Sequence, residues 1–211
     1  MNGRNFYSKQ LTMDEIYQQL TKGVRKPKNK VAIFLCGAAG SGKTTSRDMF
    51  LKDAGIKTTF VTLNIDDIRP KIGSQEAARG VFVKLIDQTI QDGYSFLYDG
   101  TCRDRKNTVT RIKEAKNNGY KIVLGITYAS LGTVLNRIRK RVNQPLEDEL
   151  VREIYGHLKK NIETYMSVDE IDEVYLYNNE KSTKLIFYKD AKEVHCVSPD
   201  SKFYFDVSKY C

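Results

Sequence analysis

GAAGSGKT, at residues 37–44, most narrows what this 211-residue chain can fold into. A string of the form G-x-x-x-x-G-K-[ST] needs a strand that delivers its first glycine and a helix that opens at its lysine. Both are legible here. VAIFLCG (31–37) is a continuous apolar run, as a strand buried on both faces reads, and SGKTTSRDMFLKDAG carries helical spacing to a glycine stop. Glycines let backbone amides converge on a phosphate, and the helix N-terminus adds partial positive charge. The expectation is a nucleoside triphosphate site, with ATP as donor, built from Gly37, Ala38, Ala39, Gly40, Ser41, Gly42, Lys43, Thr44 and Thr45. Lys43 would reach the β- and γ-phosphates, and the Thr44 hydroxyl would ligate Mg²⁺.

The rest of the chain alternates in the same way. TMDEIYQQLTK (12–22) opens with threonine and glutamate three positions apart, a capping-box helix start, and KGVRKPKNK follows as a basic linker. TTFVTLNI, YSFLYDG and YKIVLGITYA read as strands. Between them, 74–92 and KNTVTRIKEAKNNG read as helices, the latter closed by Gly119. SLGTVLNRIRKRV is a further helical stretch interrupted at Pro145, and the helix beyond it is weakened at Gly156. At least four strand–helix alternations predict an α/β fold, a doubly wound parallel sheet flanked by helices. From about 173, EVYLYNN, KLIFYKD and EVHCVS read as short strands of an added hairpin or meander. The expected division is a phosphate-loop domain over 1–180 and a β-rich C-terminal extension over 181–211, packed on the same domain.

Lysine and arginine number 35 against 26 acidic residues, so the formal charge is +9, which favours polyanionic partners such as nucleotides, nucleic acids or phosphorylated metabolites. Cys36, Cys102, Cys196 and Cys211 are scattered without a CxxC pair or adjacent histidines. That spacing indicates neither a zinc site nor a disulfide framework, and suits a reducing compartment. The polar N-terminus lacks an apolar leader core, and no apolar run approaches a membrane span, so the expectation is a soluble intracellular protein.

Which class of nucleotide protein follows is settled by other strings. No guanine-reading N-K-x-D occurs, which argues against a GTPase. The third strand ends FLYDGT with a single carboxylate, Asp99, able to hold Mg²⁺ through water. RIRKRVNQPLEDELVR supplies Arg137, Arg139, Arg141 and Arg152, suited to close over a transferred phosphoryl group; a solvated helix face is the alternative for any one of them. NIDDIR (64–69) sets Asp66 and Asp67 side by side at a strand end, where one carboxylate at most faces a given site. Either aspartate could instead cap the next turn, and Arg69 or Arg103 could pair with Asp67 or Asp104. His157 and His195 stand alone and read as structural.

GAAGSGKT, NIDDIR, YDGTCR and the basic helical stretch together resemble the zeta toxin family of small kinases and their relatives that act on nucleotide sugars, polynucleotide ends or antibiotics. The resemblance spans about 10–180. It implies an ATP- and Mg²⁺-dependent kinase. The family's N-x-D-x-x-R segment matches Asn64, Asp66 and Arg69, which implies Asp66 as general base and Arg69 as an acceptor anchor. The family's E-G-T-x-R matches Asp99, Gly100, Thr101, Cys102 and Arg103, which adds Thr101 and Arg103 to the acceptor side; aspartate stands here for glutamate. Arg139 or Arg141, together with Arg152, would hold the γ-phosphate. Tyr175, Tyr177 and Asn178 fall where relatives build an adenine pocket, or else in the core. The relatives' sugar-contacting glutamate falls near Val83 or Lys84, a departure from the pattern. The resemblance also allows an antitoxin-like protein partner.

Three functions follow from these residues. One is phosphotransfer from ATP to a hydroxyl of a small nucleotide- or sugar-type acceptor. The second is a polynucleotide 5′-hydroxyl kinase, favoured by the positive charge and the basic stretch at 22–30. The third is a nucleotide-binding regulatory protein without catalysis.

Overall fold

The computed structural model describes residues 10–141 and 146–211. In chain order these form α1 (Met13–Thr21), β1 (Val31–Gly37), α2 (Lys43–Asp53), β2 (Val61–Leu63), α3 (Ile65–Ile72), α4 (Gln75–Asp92), β3 (Phe96–Gly100) and α5 (Arg105–Asn117). There follow β4 (Lys121–Tyr128), α6 (Leu131–Arg139), α7 (Asp148–Met166), β5 (Glu173–Asn178), β6 (Lys184–Lys189), β7 (Val194–Cys196) and a short 3₁₀ turn, Val207–Tyr210. The expected interruption at Pro145 lies outside the described residues, while α7 runs unbroken through Gly156.

One seven-stranded sheet, ordered β2-β3-β1-β4-β5-β6-β7, carries the fold. β1 to β5 are mutually parallel, β6 runs antiparallel to β5, and β7 runs antiparallel to β6 and so with the first five. β1 sits between β3 and β4 and is buried on both faces, as its apolar run requires. Ile33 and Leu35 face α2, where Phe50 packs with Leu97, Val123, Tyr175 and Tyr177. Ala32, Phe34 and Cys36 face the opposite layer, built around α1, α4, α5, α6 and α7. Phe50 lies so close to the sheet that a Cβ on Gly125 would come within 2.7 Å of its ring. The capping box is formed: the Glu15 backbone N–H donates to Thr12 Oγ1 (3.2 Å), and Glu15 Oε2 accepts from the Thr12 backbone N–H (2.8 Å).

The segment from 173 forms the expected meander, β5-β6-β7, antiparallel throughout, and β5 also pairs in parallel with β4, so the meander extends the main sheet. Two expectations are corrected. The second strand, read over 58–65, contracts to Val61–Leu63, because Asn64 ends it by capping α3: its Oδ1 accepts from the Asp66 N–H at 2.9 Å. The cysteines are paired as Cys36–Cys102 and Cys196–Cys211, with Cα–Cα separations of 5.4 and 5.9 Å. Cys36 lies opposite Gly100 in the parallel β1–β3 pairing, so the turn after β3 folds Cys102 back onto it. Linear spacing carries no trace of a contact between segments 66 residues apart. The inference of a reducing compartment, drawn from unpaired cysteines, loses its basis.

Candidate active site

The phosphate loop leaves the C-terminal end of β1 and enters α2 through Gly42, in the left-handed region at φ 91°. No side chain caps α2, so its first amides point to the loop's hollow without a side-chain partner, the arrangement that accepts an anion. The loop is packed from below. A Cβ on Gly37 would meet Ser41 Oγ at 2.6 Å and the Thr127 carbonyl at 2.9 Å. Ser46 Oγ and Thr127 Oγ1 share a hydrogen bond of 2.8 Å, tying α2 to β4. Ser41 is fully buried and its hydroxyl has no partner. Thr44 and Thr45 are exposed.

Lys43 folds back so that Nζ donates to the Gly37 carbonyl at 3.1 Å. Burial drives its ammonium below the ordinary lysine value; Asp99 and Asp66 oppose that fall, and Arg141 adds to it. Burial likewise pushes the Asp99 carboxyl up, against the pull of Lys43 and Arg47, with Asp67 and Asp66 adding to the rise. The structure therefore brings Lys43, Asp99, Asp66, Asp67 and Arg141 into one electrostatic neighbourhood at the carboxyl edge of the sheet, where open α/β folds place ligands. It also brings in Arg47, whose position in the first turns of α2 carried no signal.

NIDDIR is a helix start, not a strand end. Asp66 and Asp67 occupy the first turn of α3, Asn64 is the cap, and Arg69 pairs with Asp66 at 3.6 Å and not with Asp67. Both members of that pair are half-exposed, so it contributes little on its own and leaves Asp66 accessible. Thr101 and Arg103 sit on the loop after β3, whose shape is fixed by Cys102 at φ 51°. α7 anchors this loop: Tyr165 Oη donates to the Cys102 carbonyl at 2.7 Å, and Asn161 Nδ2 to the Arg103 carbonyl at 2.6 Å.

Of the arginines after β4, Arg141 acts on Lys43. Arg139 is turned away, paired through its guanidinium with Asp148 at the start of α7. Arg152 also acts on Asp148, so these two face the α6–α7 junction. Arg137 braces the phosphate loop: it donates to the carbonyls of Gly40 (3.3 Å), Asn179 (2.8 Å) and Glu180 (3.1 Å). Buried Asn179 donates through Nδ2 to the Ser41 carbonyl at 2.9 Å and accepts from Thr183 Oγ1 at 2.9 Å. Glu180 holds Ser130, the N-cap of α6, by accepting from its N–H (2.6 Å) and hydroxyl (2.7 Å). Asn179 and Glu180 follow β5 in an unremarkable turn string, and no sequence signal marks them. Tyr175 and Tyr177 lie in the core beneath α2, Tyr177 Oη donating to Asp53 Oδ2 at 2.8 Å, so neither forms an open adenine pocket.

ATP and Mg²⁺ suit these residues. The uncapped helix start and the buried ammonium fit a polyphosphate, and the Thr44 hydroxyl and Asp99 carboxyl are oxygen donors of the kind Mg²⁺ takes alongside phosphate oxygens. Among the described residues no cluster of three or more His, Cys, Asp or Glu stands ready to hold a metal. No described helix is long and apolar enough to cross a membrane.

Comparison with known proteins places the fold. The toxin of the PezAT toxin–antitoxin system of Streptococcus pneumoniae aligns at a TM-score of 0.60 and 20% identity, over 82% of this chain and 77% of that one. AvrRxo1-ORF1, crystallised with AvrRxo1-ORF2 and sulphate ions, aligns at 0.66 and 13% identity, over 88% and 69%; the same complex with ATP gives 0.64. At these identities the likeness is one of fold. No curated protein sequence matches the chain. The family model named Zeta toxin matches residues 14–192, nearly the whole of the described sheet and its helices. The chain belongs to the zeta toxin family, with the fold of a phosphate-loop kinase.

Proposed function

We propose that this protein transfers the γ-phosphoryl group of ATP to a hydroxyl of a small nucleotide- or sugar-type acceptor. The observation that carries the reading is the convergence of Lys43, Asp99 and Asp66 at the mouth of an uncapped α2, in a chain of the zeta toxin family. Bound ATP and Mg²⁺ would supply the phosphoryl group and neutralise its charge. In this reading the loop amides and Lys43 hold the phosphates, and Thr44 and Asp99 hold the metal. Asp66 orients the acceptor hydroxyl and takes its proton as the new phosphorus–oxygen bond forms and the bond from the γ-phosphorus to the departing ADP breaks. Arg141, which acts on Lys43, pairs with the transferred oxygens, while Arg139 and Arg152 hold Asp148 at the start of α7. Arg69, Thr101 and Arg103 bind the acceptor.

Both aligned structures come from systems with a partner protein, the first a toxin–antitoxin system and the second a two-component complex. This supports an antitoxin-like partner for the present chain. The test of function is γ-phosphate transfer to pooled acceptors: nucleotide sugars, nucleosides and 5′-hydroxyl oligonucleotides. A labelled nucleotide sugar or nucleoside supports the proposal. Label on oligonucleotides alone moves the function to a polynucleotide kinase, and ATP binding without transfer to any acceptor leaves a regulatory nucleotide-binding protein.

A further inference from the structure

We propose that Tyr204 is a positioning residue of the phosphate loop, delivered there by a C-terminal strap, residues 197–211, that runs back across the sheet from β7. The proposal rests on the reading of that loop as a nucleotide site.

β7 lies four strand positions from β1, a distance of about 19 Å. The eight residues from Cys196 to Tyr204 span at most about 28 Å, enough for a nearly direct crossing. The strap is fastened along the way. Asn178 Nδ2 at the end of β5 donates to the Lys202 carbonyl at 2.8 Å, Val207 is buried, and Tyr210 packs on Phe205 and Phe187. Its last residue, Cys211, is bonded back to Cys196, so the segment is a closed loop with Tyr204 near its middle.

Tyr204 is 3% exposed. Its ring meets Tyr128 edge-on at 5.0 Å and Tyr155 of α7 at 5.3 Å. Phenylalanine would fill that apolar space as well, and burying a phenol hydroxyl costs free energy unless it is bonded. The hydroxyl here donates to the Thr127 carbonyl at 3.3 Å, and the backbone amide of Ala38 faces the same oxygen. Ala38 is the second residue of the phosphate loop. Thr127 already touches both the loop and the helix it opens into: its carbonyl stands where a Cβ on Gly37 would fall, and its hydroxyl is bonded to Ser46 of α2. The Tyr204 oxygen thus stands between β4 and the start of the loop, and its ring stands against the helix that carries Arg152. The loop's amides are held in register by a residue far from it in sequence.

The test compares Tyr204→Phe with Tyr120→Phe in the full chain. Tyr120 is equally buried, and its hydroxyl donates to the Tyr94 carbonyl (2.9 Å) at the opposite end of the sheet. Both variants lose one buried hydroxyl and both lower the melting temperature. Only Tyr204→Phe weakens ATP binding, by about fivefold, the worth of one hydrogen bond to the loop's support. It raises KM for ATP more than it changes kcat. Equal ATP affinity in Tyr204→Phe and wild type, or an equal loss in Tyr120→Phe, overturns the positioning role. Wild-type protein that binds no ATP overturns the nucleotide-site reading itself, and this role falls with it.

Discussion

Replacing Gly42 by alanine probes the loop's brace directly, because two costs arise there and can be separated. The first is backbone: Gly42 has φ 91°, and an L-residue in the left-handed region costs about 1–2 kcal/mol. The second is steric: a Cβ at Gly42 would stand 1.6 Å from Asn179 Nδ2, far inside contact distance. Asn179 must then leave, breaking its 2.9 Å bond to the Ser41 carbonyl. Stranding that buried acceptor costs about 1–3 kcal/mol. Gly42→Ala should therefore destabilise by about 2–5 kcal/mol, measured by urea unfolding. In an Asn179→Ala background the clash is gone and the bond already lost, so the same change should cost only the backbone share, about 1–2 kcal/mol. The double-mutant cycle isolates a coupling of about 1–3 kcal/mol. Strict additivity of the two substitutions would refute the idea that Asn179 braces the loop against Gly42.

Three further outcomes follow from the geometry. Burial works against ionisation of Glu180, yet hydrogen bonds from Ser130 and Thr133 with the charge of Arg137 hold its carboxyl below the ordinary range. A depressed carboxyl contributes stability that is present above its unfolded pKa and is lost as pH falls through the folded value. Thermal melting of wild type should accordingly fall more steeply on acidification than that of Glu180→Gln, and parallel curves would contradict this. Exposed Cys211 opens before the buried Cys36–Cys102 pair, so mild reduction and alkylation should label Cys196 and Cys211 first. Loss of that 15-residue closure should cost about 3 kcal/mol in chemical unfolding, whereas alkylation of all four cysteines before reduction would deny the bonds. Arg141→Ala should lower turnover on the order of 10³-fold, as loss of a phosphate-facing arginine does. Arg139→Ala should do much less, since Asp148 already holds its guanidinium; steady-state kinetics that reverse the pair would reassign the phosphate-facing role to Arg139.

What the sequence disclosed follows the range of its signals. The apolar run into GAAGSGKT, the Thr12–Glu15 cap and the glycine stops at 55 and 119 are local patterns, and each element forms where its pattern places it. NIDDIR lies where its pattern places it but differs in kind, opening a helix instead of ending a strand. An apolar run cannot show where a strand yields to a helix when its last residue is an asparagine, which serves either, and here Asn64 caps. β5 reads as a tail strand because its partner, β4, lies beyond two helices in sequence. The cysteine pairs, the Arg137–Asn179 brace and the reach of Tyr204 all depend on which strands become neighbours, and no window of sequence holds that information.

Asp66 in this mechanism serves transfer and not donor binding. Single-turnover γ-phosphate transfer and ATP affinity, measured side by side for wild type, Asp66→Asn and Asp67→Asn, test that role most directly. Transfer should be lower by about 10²- to 10⁴-fold in Asp66→Asn, the usual worth of a general base, with ATP binding unchanged and Asp67→Asn close to wild type. Transfer at the wild-type rate in Asp66→Asn, or its loss in Asp67→Asn instead, would contradict it.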